Sequence, residues 1–132
     1  MGRTRGGAGG GMSTPINLSE KFSKFSDHWN PRLAGRVNGM DVRLVKIIGD
    51  FDWHSHADED EMFFVVKGQL RMAFRDRTEI VNEGEFVIVP RGTEHRPGAD
   101  EECHIMLVEP SSVVNTGDGE TTERTVSELE EI

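Results

Sequence analysis

The chain has 132 residues and a mass of 14.8 kDa, which suits one domain and is short for two. Acidic residues outnumber basic ones 24 to 15, giving a net charge of −9, and this balance argues against non-specific binding to nucleic acid or an anionic membrane. Apolar runs such as Met62 to Val66 fall far short of the ~20 residues that cross a bilayer, and the single cysteine, Cys103, excludes an intrachain disulfide and suits a reducing, cytoplasmic compartment.

Residues 1–14 are dominated by glycine and bury nothing, so a disordered tail is expected there. Composition leaves open whether residues 1–11 are a native tail or precede a start at Met12. Segment 15–31 is expected to carry a short helix over Asn17 to Phe25. Leu18, Phe22 and Phe25 fall on one face, and Asn17 is the N-cap. His28 and Trp29, beside Asn30-Pro31, read as a packed cap over the core.

From residue 32 to 110 the period changes to that of strands. Asn38-Gly39 marks a hairpin turn, and Met40, Val42 and Leu44 then alternate with Asp41 and Arg43. Strand-like runs recur at Val42 to Ile48, Met62 to Val66, Gln69 to Phe74, Thr78 to Val81, Glu85 to Val89 and Glu102 to Val108. Turn residues separate them, with Pro97-Gly98 read as the last such turn. Short strands at near-even spacing, with no long helix between them, predict an all-β sandwich or barrel. Residues 111–132 are polar and acidic and read as a surface strap with one helical turn at most.

Five histidines carry the chemistry: His28, His54, His56, His95 and His104. In an extended segment His54 and His56 point to the same side, which is half of a divalent metal site. Glu61 adds a carboxylate, with Asp60 its rival, and His95 approaches from a neighbouring strand. Such a mixed nitrogen and oxygen set suits Mn, Fe, Co, Ni, Cu or Zn better than Ca or Mg. Taken alone, His-x-His is a weak signal, since it also occurs as two exposed polar residues on an edge strand.

The spacings together resemble the two motifs of the cupins, small jelly-roll β-barrel proteins. The first reads Gly49, four residues, His54-x-His56, four residues, Glu61, six residues, Gly68. The second reads Gly84, five residues, Pro90-x-Gly92, two residues, His95, three residues, Ala99. Gly49 lies one residue too close to His54, and Ala99 stands where the family has Asn, a position that does not bind the metal. The resemblance implies a cupin jelly-roll barrel with one divalent transition metal (Fe, Mn, Ni, Zn or Co) on His54, His56, Glu61 and His95. Small stand-alone members of this look carry a mannose-6-phosphate-isomerase-like label, which rests on the barrel and does not transfer that activity. The resemblance also implies a homodimer, formed through the sheets and the N-terminal segment.

Fold does not give function in this family. The reading taken is a metal-dependent enzyme of oxygenase or isomerase type, acting on a small organic acid or sugar-derived substrate. The alternative is a non-catalytic small-ligand-binding or sensing module. No helix-turn-helix pattern is visible, so direct DNA binding is not expected. If strand register holds through Asp52, Lys46 faces the metal and anchors an anionic ligand group. A bulge near Gly49 would instead turn Lys46 away. By the same parity, Phe63 and Val65 face inward, with Phe63 on the wall of the substrate pocket. Cys103 reads as a small buried hydrophobe, and Arg71, Arg91 and Arg96 as surface or mouth residues.

Overall fold

The computed structural model describes residues 13–132. The expected tail therefore lies outside the described residues, apart from Ser13 and Thr14. The helix α1 (Leu18–Phe22) is shorter than the periodicity suggests. The Asn17 side chain accepts from the Glu20 N–H at 2.9 Å, as an N-cap should. Phe22 and Phe25 are buried against Leu44 of the same chain, so this segment covers its own sheet.

Eight strands follow: β1 (Arg32–Val37), β2 (Met40–Asp50), β3 (Glu61–Lys67), β4 (Gln69–Phe74), β5 (Thr78–Asn82), β6 (Phe86–Val89), β7 (His95–Pro110) and β8 (Glu130–Glu131). This is the expected jelly-roll, although its hydrogen bonding does not close into a ring. The path runs β5-β4-β7-β2-β1-β8, with β3 bonded to both β7 and β6. The Asn38-Gly39 hairpin forms between β1 and β2 with Val37 opposite Met40. Asn38 (φ 50°) and Gly39 (φ 82°) are both left-handed, as a two-residue turn of this hand requires.

The long strand β7 organises the molecule. It pairs with β2 on one edge, and on the other with β3 through its second half and β4 through its first. The strand begins seven residues earlier than its apolar run, because Pro97-Gly98 is not a turn. The Pro97 carbonyl accepts from the Phe51 N–H at 2.9 Å, so the missing N–H of proline does not break the pairing. Gly98 serves close approach instead: a Cβ there would lie 2.5 Å from Asp50 Oδ1.

The facing of β2 reverses the expectation. The register of β2 on β7 shifts between Ile47 and Gly49, and Gly49 sits at φ 78°. The odd-numbered side chains Val45 and Ile47 join the main core, with Val65, Leu70, Met72 and Ile105. Leu44 and Lys46 face the other way, beneath the N-terminal segment. Asp41 and Arg43, the charged half of the alternation, are 1% and 2% exposed, more deeply buried than Met40 and Val42. Cys103 is fully buried, and burial pushes its thiol up to about 11, which leaves it unreactive.

The strap is held without regular structure. Among the described residues of 111–132 there is no helix, only the two-residue β8 running parallel to β1. Arg43 Nη1 and Nη2 donate to the Val113 and Ser111 carbonyls, and the Asn115 side chain bonds both Arg124 O and Val126 N.

Candidate metal centre

Three chain segments meet at one end of the core. Beyond β2 the chain continues alongside the start of β7, where His54 and His95 exchange backbone hydrogen bonds at 3.1 and 2.9 Å. Glu61 opens β3, one step before Met62, which pairs with Val108 of β7. His54, His56, Glu61 and His95 thus bring one donor atom each to within 4.8 Å of one another, and the last three are buried. The imidazole centroids lie 4.3 Å (His54 to His95), 5.2 Å (His54 to His56) and 5.9 Å (His56 to His95) apart.

The unmatched hydrogen bonds are the telling feature. Glu61 Oε1 lies 3.1 Å from both His56 Nε2 and His95 Nε2. Neither contact has hydrogen-bond alignment, so these three atoms and His56 Nδ1 are buried with no hydrogen-bond partner. Such orphans cost roughly 1–3 kcal/mol each in a site with no further ligand. A divalent cation accepting the lone pairs of Glu61 Oε1, His95 Nε2 and one His56 ring nitrogen removes the cost at those three atoms, so these residues fit a metal. His54 Nδ1 and His95 Nδ1 are engaged by the Asp52 and Thr93 carbonyls, both at 2.9 Å, which leaves each Nε2 free for a ligand.

Electrostatics prepares the same result. Burial, and then repulsion from His95, holds His54 down to about 4, so it stays neutral. His56 is shifted up, because the Glu61 carboxylate beside it outweighs its burial. Glu61 itself is held well below the usual carboxylate range. Burial opposes this, but the His56 and His95 imidazoles 3.1 Å away overcome it. In the metal-free protein, then, a proton on His56 competes with the metal. Affinity should fall as pH is lowered through a window that begins above the ordinary value of 6.5, and binding at pH 6.5 should release more than half a proton per metal from His56. Calorimetry in buffers of different ionisation enthalpy reads that number, and zero protons released would contradict the assignment. The His54 contribution to stability has its own sign. Its depressed pKa makes the metal-free fold lose stability as pH falls from 6.5 towards about 4.

The cluster opens on a cavity of about 40 Å³, walled by Trp29, Phe51, Phe63, Ile105 and Leu107 and reached by Glu61 and Glu109. Phe63 is inward as expected, edge-on to His95 at 6.0 Å. Trp29 caps this end of the core. It stacks on Phe51 at 4.7 Å and donates its indole N–H to the Ile48 carbonyl. His28 sits at the surface, 2.7 Å from Glu102.

Other expectations need correction. Lys46 does not reach the cluster. Its Nζ donates to the Phe25 carbonyl at 2.6 Å on the outer face, because the shift at Gly49 reverses the parity that pointed it inward. Asp60 is no rival to Glu61, since it is engaged by the Arg91 backbone N–H and guanidinium at the surface. Three residues need no correction: His104 stacks on Phe22 outside the cavity, Arg71 bridges Asp50 and Asp100, and Arg96 lies over Trp53.

Sequence reasoning missed Glu109. It is 1% exposed, and its Oε2 lies 2.7 Å from Arg43 Nη1. Burial, and then the neighbouring Glu61 carboxylate, raises Glu109 well above the usual range. One signal was available. Glu109 continues the inward set Cys103, Ile105, Leu107 at period two, so a charge stands at a core position.

Fold and site together define a small jelly-roll protein with a three-histidine, one-carboxylate cluster. A cupin-domain family model matches residues 44–109, half of the chain, and the chain belongs to the cupin superfamily. A cupin-2 domain containing protein from Shewanella frigidimarina NCIMB 400 is 48% identical, with a TM-score of 0.71, over 72% of this chain and 93% of that one. Protein NMB1881 from Neisseria meningitidis is 33% identical, with a TM-score of 0.69, over 74% of this chain and 100% of that one. The uncharacterised protein YdbB of Bacillus subtilis (strain 168) is 36% identical over 80 residues. The match takes in 60% of this chain and 65% of that protein's length.

Proposed function

We propose that the chain is a metal-dependent enzyme of oxygenase or isomerase type, acting on a small organic substrate at one divalent transition metal. The observation that carries this reading is the set of buried, unpartnered donor atoms beside a small apolar cavity that His54 and Glu61 line. His54, His56, Glu61 and His95 would hold the ion, with Fe, Mn, Ni, Zn and Co as candidates. Once bound, the ion supplies Lewis-acid polarisation of a substrate oxygen, or redox chemistry if it is iron. The Asp52 and Thr93 carbonyls fix two of the imidazoles. Phe63 and Trp29 pack against the substrate and keep water out.

Both expected substrate classes, small organic acids and sugar-derived molecules, stay in the reading, and the sugar-derived one is tested first. Only the anionic anchor at Lys46 is withdrawn, because its ammonium is held by Phe25 O. A homodimer belongs to the reading, supported by the exposed Ile80, Phe86 and Ile88 of β5 and β6 rather than by the N-terminal phenylalanines. A cytoplasmic setting is supported by the buried, unpaired Cys103. Among the described residues no helix is long and apolar enough to cross a membrane.

The test is turnover. Protein reconstituted separately with each of the five ions is offered small aldoses, ketoses and polyols in air, with products read by mass spectrometry and oxygen uptake followed in parallel. Product formation with one ion, lost in His56→Ala, is the expected result. Binding of an ion with no turnover under any condition would make the protein a ligand-binding module instead.

A further inference from the structure

A single ion meets one nitrogen of each imidazole and leaves the other to the protein. For His54 and His95 a backbone carbonyl meets Nδ1, Asp52 O and Thr93 O respectively. His56 has no such carbonyl. It is 2% exposed, and its Nε2 faces Glu61 Oε1 beside His95 Nε2. Its Nδ1 is buried without a hydrogen-bond partner. With Nε2 on the ion, a neutral imidazole carries its proton on Nδ1, so this orphan is a donor in need of an acceptor. Two carboxyls come within reach. Glu59 and Asp118 each bring an oxygen to within 4.8 Å of a His56 ring nitrogen and of each other. Asp118 is the better placed. Its backbone N–H donates to Ser55 O at 3.1 Å, and its Oδ2 accepts from Ala57 N–H at 2.6 Å, so it is pinned to the residues on either side of His56. Its Oδ1 carries no hydrogen bond among the described residues. Glu59 is drawn away instead, with Oε2 accepting from Ser112 Oγ at 2.6 Å, and its longer side chain loses more freedom when fixed.

We propose that Asp118 is a positioning residue of the metal centre: a small rotation of its carboxyl brings Oδ1 onto the His56 Nδ1–H and holds that imidazole with Nε2 toward the ion. The inference rests on the reading of the four-residue cluster as a metal site. A carboxyl behind a ligating histidine fixes the ring and its tautomer and makes it a better ligand. The C-terminal strap thereby supplies the third imidazole with what the Asp52 and Thr93 carbonyls supply to the other two.

Long-range proton–nitrogen NMR of the histidine rings, in zinc-loaded and zinc-free protein, tests this beside zinc affinity measured against a competing chelator. In the zinc-loaded parent, His56 should carry a slowly exchanging, downfield proton on Nδ1. Asp118→Ala removes the acceptor. The signal should move upfield and exchange faster, and zinc should bind about 10- to 100-fold more weakly. Asp118→Asn keeps one amide oxygen, which serves Ala57 or His56 but no longer both, and a neutral acceptor is the weaker one. It should move the same signal in the same direction. Glu59→Gln should move neither readout. Weaker zinc binding in Asp118→Ala with the His56 signal unmoved would mark a brace in place of a hydrogen bond, and overturns the proposal. So does a signal that follows Glu59→Gln, or a second equivalent of zinc bound with no proton on His56 Nδ1. The metal reading fails separately. A parent that binds no zinc, while its Nδ1–H still answers to Asp118→Asn, would sink the centre and leave the hydrogen bond standing. Zinc held by the parent with an unresponsive signal would sink the Asp118 assignment alone.

Discussion

Replacing Arg43 with methionine should lower stability by about 3–5 kcal/mol, the cost of leaving buried carboxylates without their cation. Few side chains in the fold carry so many obligations. Its Nε and Nη2 bond Asp41 Oδ2 at 3.0 and 2.9 Å, and its Nη1 lies 2.7 Å from Glu109 Oε2. It also holds the Val113 and Ser111 carbonyls where the strap begins. Strand register makes this cation necessary. Asp41 pairs with Glu109, and Glu61 follows one step beyond the Met62–Val108 pair, so three carboxyls lie across neighbouring strands. Burial pushes Asp41 up, but its bonds to Arg43, Ser111 and Arg36 hold it below the ordinary value. In urea the Arg43→Met midpoint should fall by roughly 1–3 M with the slope unchanged. Adding Asp41→Asn to that variant removes the stranded charge and should recover part of the loss. A midpoint that moves by less than about 0.3 M would show that the network carries little stability.

Gly117→Val should weaken metal binding by about 10- to 100-fold, the usual cost of disturbing the groups behind a ligand. Gly117 has φ +85°, and a Cβ there would fall 2.6 Å from Ser55 O and 2.9 Å from His54 Cβ. The next residue grips the same segment: Asp118 N–H donates to Ser55 O, and Asp118 Oδ2 accepts from Ala57 N–H at 2.6 Å. The strap therefore braces the His54–His56 turn from behind, and valine must displace one or the other. Gly119 is the control, because a Cβ there meets nothing within 4 Å. Competition against a chromophoric chelator measures both variants. Equal affinities for Gly117→Val and Gly119→Val would show that the strap does not position the ligands.

The His54, His56, Glu61 and His95 cluster was legible because its spacing is bound to turn residues. Gly68 takes positive φ where β3, the strand that opens on Glu61, ends, Gly84 takes it in the turn before β6, and Pro90 follows directly on β6. The facing of β2 was not legible. One shifted residue near Gly49 reverses every side chain before it, and composition carries no mark of such a shift. The same reversal hid Asp41 and Arg43, since charged residues in an alternating strand ordinarily face water. Glu109 was hidden as a single charge at the end of an apolar run. The role of the strap was hidden for another reason. Side-chain-to-backbone bonds from Asn115 and Asp118 hold it in place, and these have no period to read.

The central claim is that four side chains hold one metal ion, and elemental analysis tests it most directly. Protein purified without a metal-affinity tag is measured beside a His54→Ala, His95→Ala double variant, each as isolated and after reconstitution. The account predicts about one equivalent of a transition metal in the parent and none in the variant. No metal in the parent after reconstitution with every candidate ion, or equal metal in both proteins, would contradict it.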